Sequence, residues 1–171
     1  KGIEDGIGIT REDFYRQLPS MTPTPTTSTP SAGTFENLYE TLLNNGKKQI
    51  ISIHAASALS GIYNTACLAA AQFGEAIQVF DSKQVTLGLG FQVLTVADAV
   101  MKGASIEKVM EILQNIHLRA RVFAMLDTLE YVRRSGRVSW ARARLGNLLN
   151  FKPFVEVREG KVLSLGETRT R

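Results

Sequence analysis

Residues 49–80 read QIISIHAASALSGIYNTACLAAAQFGEAIQVF, two short apolar runs with a helical pattern between them. The first run, QIISIH (49–54), is continuous and rich in β-branched residues, which is typical of a strand buried on both faces. A Ser60-Gly61 turn follows it, and small apolar residues then recur along one side of a predicted helix. The second run, IQVF (77–80), reads as another strand. Strand, helix and strand in this order favour a parallel α/β sheet.

The flanking segments continue the alternation of helices and strands. Upstream, apolar residues recurring from Phe35 predict a helix directly behind a Ser/Thr/Pro-rich loop at residues 20–31. Downstream, the pattern predicts a glycine-containing helix over 87–101 and another over 105–117. Residues 122–126 then read as a third buried strand. The whole pattern indicates an α/β protein with a parallel sheet.

Residues 153–165 differ from the rest, because two strand-like runs flank Glu159-Gly160, which predicts a β-hairpin with its turn at this dipeptide. We therefore predict a parallel-sheet α/β domain over residues 1–118. Residues 119–171 would form part of a second, mixed α/β domain that contains the hairpin. The chain opens without a methionine and stops directly after an apparent strand. We expect it to be partial at both ends.

Composition restricts the class of protein. The 171 residues are 44% hydrophobic and 21% charged, which is ordinary for a globular chain. A net charge of +4 suits an anionic ligand but is small for a nucleic-acid-binding surface. Cys67 is the single cysteine, which excludes an internal disulfide and fits a reducing cytoplasm. Apolar runs stop short of the ~20 residues of a membrane span, so we expect a cytoplasmic protein that binds no nucleic acid.

Three loops carry hydroxyl or carboxylate side chains next to predicted helix starts: TTSTP (26–30), SALSG (57–61) and DS (81–82). The second and third follow predicted parallel strands, where open α/β sheets bind ligands. A hydroxyl beside a helix N-terminus suits an anion. Each loop taken alone is more simply explained as a helix cap or a turn. Taken together, the three loops predict a pocket with a polar opening and an apolar interior. Arg137 follows the flexible Gly136 and can bind a carboxylate or phosphate.

Catalytic and metal-binding signatures are sparse. The histidines are His54 and His117, neither of which lies in a nucleophile motif, and no zinc spacing or Walker-type loop is present. We expect no catalytic residue and no metal site. One alternative is a serine-dependent acyl hydrolase or transferase that uses Ser60 with His54, six residues away. Another is a regulatory or scaffold protein that binds its partner through the arginines of residues 133–144.

Six segments occur in one order along nearly the whole chain. They are TSTPS (27–31), SALSGIYNTA (57–66), VFDSKQVTLGLG (79–90), LEYVRRSGRV (129–138), LGNLLNFKPFVEVREGKV (145–162) and TRTR (168–171). Together they resemble the DegV family, which includes the fatty-acid-binding subunits of bacterial fatty acid kinase. Thr29 stands where the family usually has glutamine, and Phe151 replaces a usual isoleucine. The family's opening strand and closing histidine-containing segment have no counterpart in this sequence.

The resemblance implies a bacterial lipid-binding protein and not an enzyme. Such a protein holds a long-chain fatty acid, of C16–C18 length such as palmitate or stearate, in a buried apolar pocket and needs no cofactor. By position, Thr27 and Ser60 resemble the family's carboxylate-contacting hydroxyls, and Ser28 and Gly61 lie beside them in the binding motifs. Arg137 resembles the basic residue near the head group.

The resemblance also implies a protein partner. The family's fatty acid kinase subunits present the carboxylate to an ATP-binding kinase subunit, which forms the acyl phosphate. Arg169, in the TRTR segment, resembles part of the surface that meets that subunit. Phosphoryl transfer requires a nucleotide and metal site, so the chemistry would belong to the partner.

Overall fold

The computed structural model describes residues 2–4, 6–143 and 151–169. Of Arg142, Ala143, Phe151 and Arg169 within these ranges, it describes the backbone alone. The helices are α1 (Arg11–Gln17), α2 (Ala32–Asn44), α3 (Ile62–Ala70), α4 (Thr86–Met101), α5 (Ile106–Arg119), α6 (Glu130–Ser135) and α7 (Ser139–Ala143). The strands are β1 (Ile50–His54), β2 (Ile77–Asp81), β3 (Val122–Met125), β4 (Phe151–Arg158) and β5 (Lys161–Arg169). Short 3-10 turns, Leu18–Ser20 and Ala71–Ala76, follow α1 and α3.

Side-chain caps set the starts of three helices. Thr10, Ser31 and Ser105 each accept a hydrogen bond from the backbone N–H three residues later, at 3.1, 3.2 and 3.4 Å. These bonds satisfy N–H groups that have no partner inside the first helical turn. Gly103 adopts a φ of 78° just after α4 and ends that helix. The predicted boundary between the helices over residues 87–101 and 105–117 falls at Gly103 and Ser105.

β1 and β2 form a parallel pair that runs from Ile50 opposite Ile77 to His54 opposite Asp81. Helices α2 and α3 cover one face of the pair, and α4 and α5 cover the other. The two resulting cores contain Phe35, Tyr39, Ala66, Ala69, Ala70 and Ile77 on the first face, and Val96, Ala99, Val109 and Leu113 on the second. This arrangement confirms the predicted α/β fold with a parallel sheet.

β3, β4 and β5 form a separate antiparallel sheet in that order. β4 and β5 are the predicted hairpin, and Glu159 and Gly160 take φ values of 50° and 73° in its turn. The prediction that β3 is a buried strand was wrong. Phe123 and Met125 are 55% and 56% exposed, because the strand joins an antiparallel sheet with one open face.

Hydrogen bonds of the segment after β2 join the two sheets. Gln84 Nε2 donates to the carbonyls of Ala120 at 2.8 Å and Val157 at 3.2 Å. The backbone N–H of Gly160 donates to the carbonyl of Lys83 at 2.8 Å. The division into two domains at residue 118 stays a prediction. Within residues 2–4, 6–143 and 151–169, no helix has the length and apolar character needed to cross a membrane.

Candidate ligand-binding pocket

A pocket of about 340 Å³ opens where the loops before α2 and α3 meet. Residues 27–30 line one side, residues 57–62 line the other, and Arg137 completes the wall. Five residues singled out from the sequence therefore lie around one pocket: Thr27, Ser28, Ser60, Gly61 and Arg137. Leu59 and Ile62 also line the pocket, although the sequence did not predict either of them as a binding residue.

The loop before α2 brings its hydroxyls to the pocket because Ser31 holds the helix start behind it. Ser31 Oγ accepts the N–H of Thr34 at 3.2 Å and lies 2.9 Å from the Thr34 hydroxyl. Thr27 and Ser28 are exposed. A Cβ atom on Gly61 would lie 3.5 Å from Thr29 Oγ1, so the two loops are in close approach.

The loop before α3 is a tight turn that fixes Ser60. The carbonyl of Ala56 accepts the N–H groups of Leu59 at 2.9 Å and Ser60 at 3.0 Å. Ser60 Oγ accepts the N–H of Ile62 at 3.3 Å, and the side chain is half-buried. The hydroxyl is therefore held at the first turn of α3, with its proton available to an acceptor in the pocket.

The electrostatic field of the pocket favours an anion. The pocket lies at the N-terminal ends of α2 and α3, where helix dipoles place partial positive charge. Arg137 follows Gly136, which ends α6 with a φ of 70°. The Arg137 guanidinium is exposed and makes no ion pair with another described side chain. No acidic residue lines the pocket as the structure describes it, so a carboxylate or phosphate would meet only complementary charge.

The third predicted loop lies behind the pocket and not in its lining. Asp81 Oδ1 accepts the N–H groups of Ser57 at 3.2 Å and Lys83 at 2.9 Å, and Lys83 Nζ lies 2.7 Å from Oδ2. Burial by itself raises the pKa of the Asp81 carboxyl, but the hydrogen bonds from Lys83 and Ser57 outweigh it and hold the pKa below its ordinary value. Ser82 is fully buried and its Oγ accepts the N–H of Gln84 at 3.1 Å.

His54 contacts core residues instead of the pocket serine. Its Nε2 lies 2.7 Å from Ser52 Oγ, and Ser52 Oγ also accepts the hydroxyl of Tyr39 at 2.8 Å. The Phe35 ring meets the imidazole edge-on, and burial lowers the pKa of His54. In the part of the chain that the structure describes, no hydrogen bond joins His54 to Ser60. The acyl hydrolase alternative gains no support from this geometry.

The remaining candidate residues lie at the edge of what the structure describes. Arg169 pairs with Phe151 through the backbone of β5, and its side chain lies outside the described part of the structure, as do residues 144–150. In α6, Arg134 is paired with Glu130. Among the residues described, no group of three or more His, Cys, Asp or Glu side chains is arranged to hold a metal ion.

Comparisons with known sequences give related proteins over the full length of the chain. The model of the DegV family of uncharacterised proteins matches residues 1–171. A DegV domain-containing protein of Deinococcus radiodurans is 36% identical over 166 residues, which are 97% of this chain and 59% of the relative. One from Staphylococcus aureus is 32% identical, over 98% of this chain and 59% of the relative. The chain thus spans less than two thirds of the length of these relatives.

Solved structures show the same fold. A DegV family protein from Thermus thermophilus, described as binding a fatty acid, superposes with a TM-score of 0.87 at 33% identity, covering 97% of this chain and 59% of its own. A stearic-acid-binding protein from Eubacterium ventriosum superposes with a TM-score of 0.82 at 26% identity, covering 99% and 59%. With a family model that matches every residue and a shared tertiary structure, this chain belongs to the DegV family.

Proposed function

We propose that this chain binds a long-chain fatty acid and holds its carboxylate in the pocket between the loops before α2 and α3. The observation that carries the proposal is the convergence of hydroxyls and Arg137 on one pocket at two helix N-termini. The fatty acid bound by the Thermus thermophilus protein, 33% identical, supports the choice of ligand. An inorganic anion would suit the charge of the pocket equally, so the choice of a fatty acid rests on that relative.

The head group and the tail have separate roles. Thr27 and Ser60 donate hydrogen bonds to the carboxylate, Ser28 and Gly61 lie beside it, and Arg137 neutralises its charge. The lining of the described pocket is mainly polar, so the pocket accommodates the head group and the first methylenes. The rest of the C16–C18 tail supplies most of the affinity, since each buried methylene contributes about 0.8 kcal/mol before the losses of immobilisation.

The carboxylate is presented to a partner and is not transformed by this chain. Exposure of Thr27, Ser28 and Arg137 supports this role, because a head group among them stays within reach of another protein. An ATP-binding kinase subunit would supply the phosphoryl group and form the acyl phosphate, with Arg169 as part of the docking surface. A bacterial cytoplasmic protein without a cofactor of its own fits this division of labour.

Lipid analysis of the purified full-length protein tests the binding role. We expect mass spectrometry of the extracted lipid to give one C16–C18 fatty acid per protein molecule. Thr27→Ala and Ser60→Ala should each weaken binding of added palmitate about fivefold, the effect of one hydrogen bond of roughly 1 kcal/mol. Thr24→Ala, in the same loop but outside the pocket lining, is the matched control. Protein that carries no fatty acid and takes up none would refute the proposal.

Turnover with a kinase tests the presentation role. Palmitate-loaded protein, ATP and the ATP-binding subunit of a fatty acid kinase should yield acyl phosphate. Arg169→Ala should lower the rate without changing palmitate affinity, whereas Arg158→Ala, an exposed arginine of the same hairpin, should leave both unchanged. Equal rates for the two variants would remove Arg169 from the docking surface.

A further inference from the structure

The segment of residues 81–84 holds the pocket loop from behind. Asp81 Oδ1 accepts the N–H of Ser57 at 3.2 Å, and the carbonyl of Gln84 accepts the N–H of Ala56 at 2.9 Å. The carbonyl of Ala56 in turn accepts the N–H of Ser60 at 3.0 Å. The position of the Ser60 hydroxyl therefore depends on bonds that begin at Asp81 and Gln84, although neither residue lines the pocket.

The same segment holds the β4–β5 hairpin. The carbonyl of Lys83 accepts the N–H of Gly160 at 2.8 Å, and Gln84 Nε2 donates to the carbonyl of Val157 at 3.2 Å. Gln84 is 1% exposed, so these bonds are shielded from competing water. The turn also reaches the pocket loop directly, because a Cβ atom on Gly160 would lie 3.6 Å from Ala58 Cβ.

The backbone of this segment is itself held in an unusual conformation. Lys83 has a φ of 53°, a left-handed conformation that residues other than glycine rarely adopt. Such a conformation persists where the surrounding contacts over-determine it. Here the contacts come from two directions: Asp81 binds the N–H and the ammonium group of Lys83, and Gly160 binds its carbonyl.

We propose that Asp81 and Gln84 are positioning residues that couple the β4–β5 hairpin to the carboxylate site, a role that rests on the proposed fatty-acid binding. Movement of the hairpin is transmitted through Lys83 and Gln84 to Ala56 and Ser57, and from there to the Ser60 hydroxyl. A protein that docks against the hairpin would thereby change how tightly the head group is held. The acyl tail is not part of this connection.

Comparison of palmitate with hexadecanol separates positioning of the head group from general damage to the fold. The alcohol has the same tail but no carboxylate. In the full-length protein, Asp81→Ala should weaken palmitate binding about fivefold, as for the loss of one hydrogen bond at the head group, and leave hexadecanol binding unchanged. Asp98→Ala is the matched control, because Asp98 is an exposed carboxylate paired with Lys102 at 2.6 Å on α4. It should change neither affinity.

Two further variants test the connection itself. Asp81→Asn keeps an oxygen acceptor for the N–H of Ser57 and should lose less palmitate affinity than Asp81→Ala. Gly160→Ala strains a residue with a φ of 73° in the hairpin turn and should lower the palmitate-to-hexadecanol affinity ratio from outside the pocket. In a Ser60→Ala background, both effects should shrink, because the hydroxyl that they position is gone.

The outcomes separate this role from the proposed function. Unsubstituted protein that binds neither lipid refutes fatty-acid binding, and the positioning role with it. Protein that prefers palmitate, but whose affinity ratio is the same in Asp81→Ala and Gly160→Ala, keeps the function and overturns the coupling. If Asp81→Ala does not fold, Asp81→Asn and Gly160→Ala decide the matter through the same ratio. The coupling would also be overturned if the losses of palmitate affinity in Asp81→Ala and Gly160→Ala were additive with the loss in Ser60→Ala.

Discussion

Replacing Gly88 with alanine should destabilise the protein, because α4 passes too close to β3 at this point to accept a side chain. A Cβ atom on Gly88 would lie 2.6 Å from Val122 Cγ2 and 2.8 Å from Gln84 Oε1. Neither neighbour can move easily. Val122 is β-branched and restricted at χ1, and Gln84 is held by hydrogen bonds to two carbonyls.

The expected size follows from two opposing effects. Alanine in place of glycine in a helix interior stabilises by up to about 1 kcal/mol. An extra carbon in a close-packed site destabilises by about 1–3 kcal/mol, and a separation of 2.6 Å places Gly88 toward the upper end. We expect the free energy of unfolding to fall by about 1–2 kcal/mol. Gly90 provides the control: its Cβ would meet nothing within 4 Å, so Gly90→Ala should stabilise.

Urea denaturation followed by two signals measures the difference. Far-UV circular dichroism reports on the helices, and fluorescence of Trp140 reports on the antiparallel sheet, because the indole N–H donates to the carbonyl of Val162 at 2.7 Å. The midpoint should move to lower urea in Gly88→Ala and to higher urea in Gly90→Ala. Shifts in the same direction for both variants would refute the close approach of α4 to β3.

Three further changes address other parts of the fold by the same urea assay. Burial lowers the pKa of His54 below its ordinary 6.5, so the unfolded chain binds more protons there as the pH falls below that value. Stability should decrease from about pH 7.5 to about pH 5.5, and less steeply in His54→Gln. Ser31→Ala removes the cap of α2 and should destabilise by about 1 kcal/mol. Trp140→Phe removes the hydrogen bond to the Val162 carbonyl and should destabilise by about 1 kcal/mol.

Each of these changes has an outcome that would contradict it. An equal pH slope in His54→Gln would mean that other groups carry the proton uptake. Ser20→Ala is a suitable control for Ser31→Ala, because Ser20 Oγ donates to the carbonyl of Gln17 and caps no N–H group among the described residues. Equal losses in the two variants would remove the capping role. A Trp140→Phe variant as stable as the parent would mean that water replaces the lost bond.

Local patterns in the sequence predicted most of the secondary structure and the parallel sheet. Ser105 marked a helix start, and Glu159-Gly160 marked the hairpin turn, because capping and turn formation depend on residues within a few positions of one another. The approach of the loops after β1 and β2 was also predictable, since the carboxyl ends of adjacent parallel strands lie side by side. These features need no knowledge of distant partners.

Long-range packing settled the rest. An apolar run such as β3 does not reveal whether both of its faces will be covered, and here Phe123 and Met125 are exposed on an antiparallel sheet. Asp81 has a strand-end position typical of a pocket residue, yet its carboxylate binds the loop from behind. His54 bonds to Ser52 rather than to Ser60. In each case the sequence showed the chemical type of the residue but not its partner. The partner depends on which surfaces meet when the two sheets pack, and the local spacing of residues does not determine this.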